Sequence, residues 1–397
     1  MKKLGDVCKT IQDGAHQSPQ KQFDTPGEGR FLYITSKNIR TNYLDLSNVT
    51  YVERDFHDQI YPRCQPQVGD VLLTKDGANT GNVTLNTIDE PFSLLSSVCL
   101  IKTDPTVLKP EFLCYYLQSP IGLRRIVGEM TGAAIKRIVL RDIKLATISL
   151  PSLPEQQRIV GILDKVFNGI ATVKANAEKN IENARALFER YRQEVFTSQN
   201  KEWIKRTLDD VTELITCGVA KRPKYVESGV PFLSAKNVKN GRIIWGGYQY
   251  VSEETHHALT KHNKPKLGDI LYTRVGSYGE AAIIDREIEF SIFVSLTLIK
   301  PKPILLNTFL KHYLNSSVIK QLAARSINGV GVGNLNVGAV REFPICLPPI
   351  TEQRSIAASL DALRTEIQSL ETIYKQKLAA LDELKKSLLH KAFTGEL

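Results

Sequence analysis

A chain of 397 residues is long enough for two or three hydrophobic cores. With 42% hydrophobic and 24% charged residues it is not wholesale disordered, and no apolar run approaches the roughly 18 residues a membrane span needs. A net charge of +10 puts polyanions among the partners to consider. Met1-Lys2-Lys3 leads into Leu4-Gly5-Asp6 with no apolar h-region, so no signal peptide is expected. The cysteines (Cys8, Cys64, Cys99, Cys114, Cys217, Cys346) form no Cys-x-x-Cys pair and read as reduced thiols of a cytoplasmic protein.

Residues 1–150 read as a mixed lobe. Short β-branched and aromatic runs at Phe31–Thr35, Asp70–Thr74 and Val98–Lys102 predict strands, and Pro110–Leu117 and Ile121–Val127 predict short helices. From Leu150-Pro151-Ser152-Leu153-Pro154-Glu155-Gln156-Gln157-Arg158-Ile159 to Thr197 there is no proline after the first turn. Pro154 suits a first turn, and Glu155 suits the positive end of the helix dipole. Apolar residues at Ile159, Leu163, Val166, Ile170, Val173, Ala177, Ile181, Ala184, Phe188, Tyr191 and Val195 step by four and three, the seam of a coiled coil.

After Asn200-Lys201-Glu202 the pattern starts again. Leu4-Gly5-Asp6-Val7 answers Leu208-Asp209-Asp210-Val211, and Gly14 answers Gly218, both 204 apart. Tyr33-Ile34-Thr35-Ser36-Lys37-Asn38-Ile39 answers Phe232-Leu233-Ser234-Ala235-Lys236-Asn237-Val238, and Gly69-Asp70-Val71-Leu72 answers Gly268-Asp269-Ile270-Leu271, 199 apart. Strands are therefore expected at Phe232–Ser234, Asp269–Thr273 and Thr297–Lys300, and helices at Asn307–Leu314 and Val318–Ala324. Leu347-Pro348-Pro349-Ile350-Thr351-Glu352-Gln353-Arg354 opens a second long helix. Its apolar face runs Ile356, Leu360, Leu363, Ile367, Leu370, Tyr374, Leu378, Leu381, Leu384, Leu388, Ala392, with Thr351 available to cap it. Glu155 and Glu352, Asp164 and Asp361, Phe196 and Phe393 are each 197 apart, so the chain is one lobe-plus-helix unit used twice.

Each long helix needs an apolar partner, and the other is the obvious one. Antiparallel packing would relate the repeats by a pseudo-two-fold axis and set the lobes towards opposite ends of a ruler roughly 60 Å long. Such an object suits two half-sites on duplex DNA, which should differ because the lobes differ. Lengthening one helix by a turn, about 5.4 Å, should lengthen the tolerated gap by one or two base pairs. The charge agrees. Residues 1–150 carry 18 basic against 16 acidic side chains and residues 201–350 carry 20 against 13, while the helical segments are nearly neutral. His256, His257 and His262 lack partners at metal-ligand spacing. No P-loop or Asn/Asp-Pro-Pro-aromatic methyltransferase segment is present, and Gly329-Val330-Gly331-Val332-Gly333 reads as a flexible loop.

The Leu-Pro-x-Leu-Pro-Glu-Gln-Gln-Arg-Ile run, its copy Leu-Pro-Pro-Ile-Thr-Glu-Gln-Arg, the Gly-Asp-(Val/Ile)-Leu strands and the ending Lys391-Ala392-Phe393-Thr394-Gly395-Glu396-Leu397 resemble the specificity (S) subunit of type I restriction–modification systems. The resemblance covers essentially the whole chain. It implies an α+β architecture of two pseudo-symmetric target recognition domains, residues 1–150 and 201–346, joined by two long antiparallel coiled-coil helices, residues 151–200 and 347–397. It also implies double-stranded DNA, two methyltransferase subunits and, through them, restriction subunits as partners, with no catalysis and no cofactor of its own. The related specificity subunits of type IIB- or IIG-like modification–cleavage systems are the alternative.

Candidate DNA contacts follow from the repeat. Lys37-Asn38 and Lys236-Asn237 are equivalent, as are Lys75 and Arg274 at the head of glycine-containing loops. Shared residues are expected to hold the fold or grip phosphate, whereas residues that differ between copies carry sequence choice, which favours Asn79, Thr80, Ser277 and Tyr278. Lys136, Arg137, Lys221 and Arg222 are candidate phosphate grips.

Overall fold

The computed structural model describes residues 1–77, 79–127, 137–198, 202–276, 278–328 and 334–397. Two compact units emerge: Met1–Ala177 with Lys375–Leu397, and Glu178–Tyr374.

In the first unit a four-stranded antiparallel sheet runs Cys8–Asp13, Val98–Thr103, Val71–Thr74, Val83–Leu85. A second sheet pairs Arg30–Ile34 antiparallel with Thr50–Glu53 and parallel with Ser93–Leu94. All four residues of Val71–Thr74 are buried because the strand has a core on each side. Val71 and Leu73 face the helix Pro110–Gln118 and the long helix, while Leu72 joins Ile34, Phe92 and Leu100. The period-two alternation of a strand thus serves two cores at once.

The second unit repeats this arrangement. Thr212–Cys217, Leu296–Pro301, Ile270–Thr273 and Ala281–Ile283 form the four-stranded sheet. Gln249–Val251, Val230–Leu233 and Ser291–Ile292 form the three-stranded one. The parallel register Tyr33↔Ser93 recurs as Phe232↔Ser291. Helices Pro120–Val127, Asn307–Leu314 and Ser317–Arg325 complete the lobes near the predicted bounds.

The shared motifs have structural causes. A Cβ on Gly14 would lie 2.1 Å from the Leu94 carbonyl oxygen, and one on Gly218 would lie 2.0 Å from that of Ile292, so only glycine lets these strands approach. In the Gly-Asp motif, Gly69 and Gly268 take φ of 88° and 87°. The following carboxylates close the turn: Asp70 accepts from Gln67 N at 2.8 Å and pairs with Lys102, while Asp269 accepts from Lys266 N at 2.8 Å and pairs with Lys300.

The long helices are Leu153–Thr197 and Ile350–Thr394, both 45 residues. Each starts with a buried glutamine that locks it to its lobe. Gln156 Oε1 accepts from Lys109 N at 2.9 Å, and its Nε2 donates to the carbonyls of Val107 and Pro151. Gln353 makes the same three bonds, to Leu306 N and to the Ile304 and Pro348 carbonyls. The far ends are locked alike, with Phe196 packing edge-on to Phe309 and Tyr313, and Phe393 to Phe112 and Tyr116. The first helix therefore starts in the first unit and ends in the second, and the second helix does the reverse, which makes them antiparallel.

Two details differ from the expectation. Thr351 lies inside the first turn of the second helix rather than at a cap, because that helix begins at Ile350. The seam is also not closed along its length. Ile159, Leu163, Ile170, Ala177, Phe188, Leu360 and Ala392 are buried, but Val173, Tyr191, Leu370 and Leu384 are exposed, since two helices cover only one another's facing strips.

Candidate nucleic-acid interface

In each lobe the turn after the central strand of the small sheet presents a lysine tip. Asn38 builds the first turn: its Oδ1 accepts from Thr35 N at 3.0 Å and its Nδ2 donates to the Asp45 carbonyl at 3.0 Å. Asn237 does the same with Ser234 N and the Ile244 and Gly246 carbonyls. Both amides are buried and spent within the fold, so they shape the turns instead of offering an edge to a base. What they hold out is Lys37 and Lys236, both exposed.

The loop after Val71–Thr74 packs beside the first of these turns. Asn79 Nδ2 donates to the Ser36 carbonyl at 3.0 Å, Thr80 Oγ1 donates to that of Gly77 at 2.6 Å, and both residues stay partly exposed. Arg137, exposed, approaches Asp76 at 3.6 Å. Lys37, Asn79, Thr80 and Arg137 are thus drawn to one loop cluster. Lys136 falls outside the described residues, as do Ser277 and Gly329–Gly333.

Lys75 and Arg274, expected as contacts, are instead buried. Lys75 lies 3.0 Å from Asp13, which Arg63 also binds at 2.7 Å. Burial works to raise the Asp13 pKa, but the hydrogen bonds from Arg63 and Lys75 outweigh it and hold the carboxyl below the usual range. Arg274 spends its guanidinium on the Leu335 and Val294 carbonyls and Asn334 Oδ1. The lobes are built alike here, but one core is tied by an ion pair and the other by a guanidinium on carbonyls.

Around Lys236, the second lobe gathers Lys221 and Arg222, both exposed, with the Arg222 guanidinium 6.0 Å from the centre of the Phe293 ring. Phe293 N bonds the Leu233 carbonyl, which brings this basic segment beside the Lys236 turn. Tyr278 is half-buried against the second core. Sequence reasoning missed a cleft beside Lys37 that Tyr33, Gln22 and Asn48 line. Its one visible signal was that Tyr33 stands where the other copy has Phe232.

The profile described as "Type I restriction modification DNA specificity domain" matches residues 1–183 and again 200–378. The chain belongs to this family. The double match falls on the two repeats described above and makes the chain a DNA-recognition component. Among relatives of this specificity family, the EcoBI specificity subunit of Escherichia coli is 25% identical across 83% of this chain and 73% of its own length. The MjaVIII specificity subunit of Methanocaldococcus jannaschii is 21% identical across 100% and 92%. Two solved structures share the fold. One chain, from work on complex assembly and conformational transition of the type I R-M system, has a TM-score of 0.76 at 20% identity over 100% of this chain and 97% of that one. The HsdS subunit from Thermoanaerobacter tengcongensis has a TM-score of 0.62 at 19% identity over 100% and 96%.

Proposed function

We propose that this specificity chain reads a split, asymmetric DNA sequence, with residues 1–150 reading one half and residues 201–346 the other. Lys37 and Arg137, and Lys221, Arg222 and Lys236, grip phosphate, while Asn79, Thr80 and Tyr278 sit where bases are chosen. The helical segments, residues 151–200 and 347–397, fix the gap and dock two methyltransferase subunits, through which restriction subunits join.

One observation carries this reading: a lysine-tipped turn held by a buried asparagine occurs twice on one frame, and different side chains gather beside it in each lobe. The helices support the docking half. In the first unit Val173 and Leu384 are 50% and 46% exposed, and shifting each by 197 gives Leu370 and Leu187, 37% and 60% exposed, in the second. The neighbouring ion pair repeats with its signs exchanged, Lys174 with Asp382 in one unit and Arg185 with Glu371 in the other. Two equivalent apolar pairs suit two copies of one partner.

The test is exchange. With residues 1–150 replaced by a second copy of 201–346 and the chain co-expressed with its methyltransferase subunit, mapped modification should fall on a site with two like halves. Retention of the original sequence by the exchanged chain would refute the assignment of one half to each lobe.

A further inference from the structure

We infer that the cleft beside Lys37 admits the edge of one base pair and that Tyr33, one of its lining residues, is specificity-determining; this rests on the DNA-recognition reading above. The cleft has a volume of about 260 Å³ and is lined by Tyr33, Gln22, Lys37, Asn48 and Thr50 among others. Tyr33 is 1% exposed, and its hydroxyl has no hydrogen-bond partner among the described residues. A buried phenol normally finds one, because leaving it unmade is costly. The ring packs edge-on to Phe56, 6.2 Å between centroids.

The lining chooses the ligand. Lys37 is the one cation among the residues named, which is poor provision for a phosphate. The remainder is neutral amide and hydroxyl. Thr50 Oγ1 donates to Gln22 Oε1 at 3.2 Å, which orients that amide and leaves its NH2 end as a donor. Amides of this kind match the donor–acceptor pair on adenine, and a tyrosine hydroxyl can either donate or accept.

The second lobe fills the same place differently. Phe232 replaces Tyr33 in the parallel register with Ser291, and Phe293 replaces Leu95 in the adjoining bridge. Tyr225, which precedes the bridge of Val226 to Tyr250 as Gln22 precedes that of Phe23 to Tyr51, sets its ring 5.9 Å from Phe232. Phe232 in turn lies 6.1 Å from Phe293. A polar cleft in one lobe thus becomes an aromatic cluster in the other, on the same backbone. That is the signature of a position that differs for recognition.

The experiment co-expresses the full chain with its methyltransferase subunit and maps modified bases for the native chain, Tyr33→Phe and Gln22→Ala. Tyr33→Phe removes a group with no partner among the described residues, so the melting temperature should hold or rise. Discrimination should fall roughly ten-fold or more at one position of one half-site, with the other half and the gap intact. Gln22→Ala should relax the same position. Unchanged discrimination in both variants would overturn the inference while leaving a bipartite native motif, and hence the recognition reading, in place. A native chain that directs no sequence-specific modification would overturn both. Loss of stability in Tyr33→Phe without any change in motif would assign the hydroxyl to the fold alone.

Discussion

Lys75 and Lys37 carry the same charge in the same lobe, and burial gives them opposite roles. Lys75 is enclosed with Asp13, so Lys75→Met would leave that carboxylate with only Arg63 and the exposed His16 and should cost about 3 kcal/mol in chemical denaturation. The sign with pH follows from the depressed Asp13 pKa: the pair's contribution is present above the ordinary aspartate value of about 3.9 and is lost as pH falls through the folded value. Lys37→Ala should leave stability unchanged. It should weaken DNA binding by the complex across all sequences and reduce the salt slope by about one. Equal destabilisation by both substitutions would contradict the assignment. The sequence could not separate these lysines, since each follows a strand and neither has a charged neighbour at helical spacing that reveals a buried pair.

At the scale of elements, the joints between lobes and helices are the most repeated chemistry in the chain. Gln156→Ala or Gln353→Ala removes three buried bonds and strands a backbone N–H and two carbonyls, for an expected loss of about 2–3 kcal/mol each in unfolding experiments. A loss below 0.5 kcal/mol would show that the joint relaxes around the gap. A second joint differs between the units. Tyr115 donates to Asp164 at 2.5 Å in the first, and His312 Nε2 lies 2.8 Å from Asp361 in the second. Burial lowers the His312 pKa, and its Nδ1 has no partner among the described residues, which favours the neutral ring donating from Nε2. The His312 hydrogen bond, with Lys311, holds Asp361 well below the usual carboxylate range. Below about pH 6.5 the unfolded chain binds a proton that folded His312 refuses, so stability falls as pH drops from 7 towards 5. His312→Tyr, copying the first joint, should flatten that slope in melting curves; an unaltered slope would place the titrating group elsewhere. The long helices were legible because a heptad pattern at a fixed offset survives divergence. The open stretches of their seam were not, because periodicity marks an apolar face without saying what covers it.

For the whole molecule, the architecture is legible in the duplication, and the structure shows what each shared motif is for. Gln156, Gln353, Asp70 and Asp269, which make the family recognisable, are frame residues. The groups placed in the cleft (Tyr33, Gln22) differ between the two copies. Sequence choice demands that such residues vary, so pattern reading finds the frame and passes over the reader. Asn38 and Asn237, like Lys75 and Arg274, stand out in the sequence as a repeated pair, and all four lie buried because both lobes need them inside.

The central claim is that one chain fixes two unlike half-sites at a distance set by its helices. The most direct measurement adds one heptad, about 10.5 Å, at equivalent positions of both long helices and maps modified bases beside those of the native chain. At about 3.4 Å per base pair, both half-sites should be retained with a gap longer by about three base pairs. Modification at the native gap by a stable, lengthened chain would contradict the account.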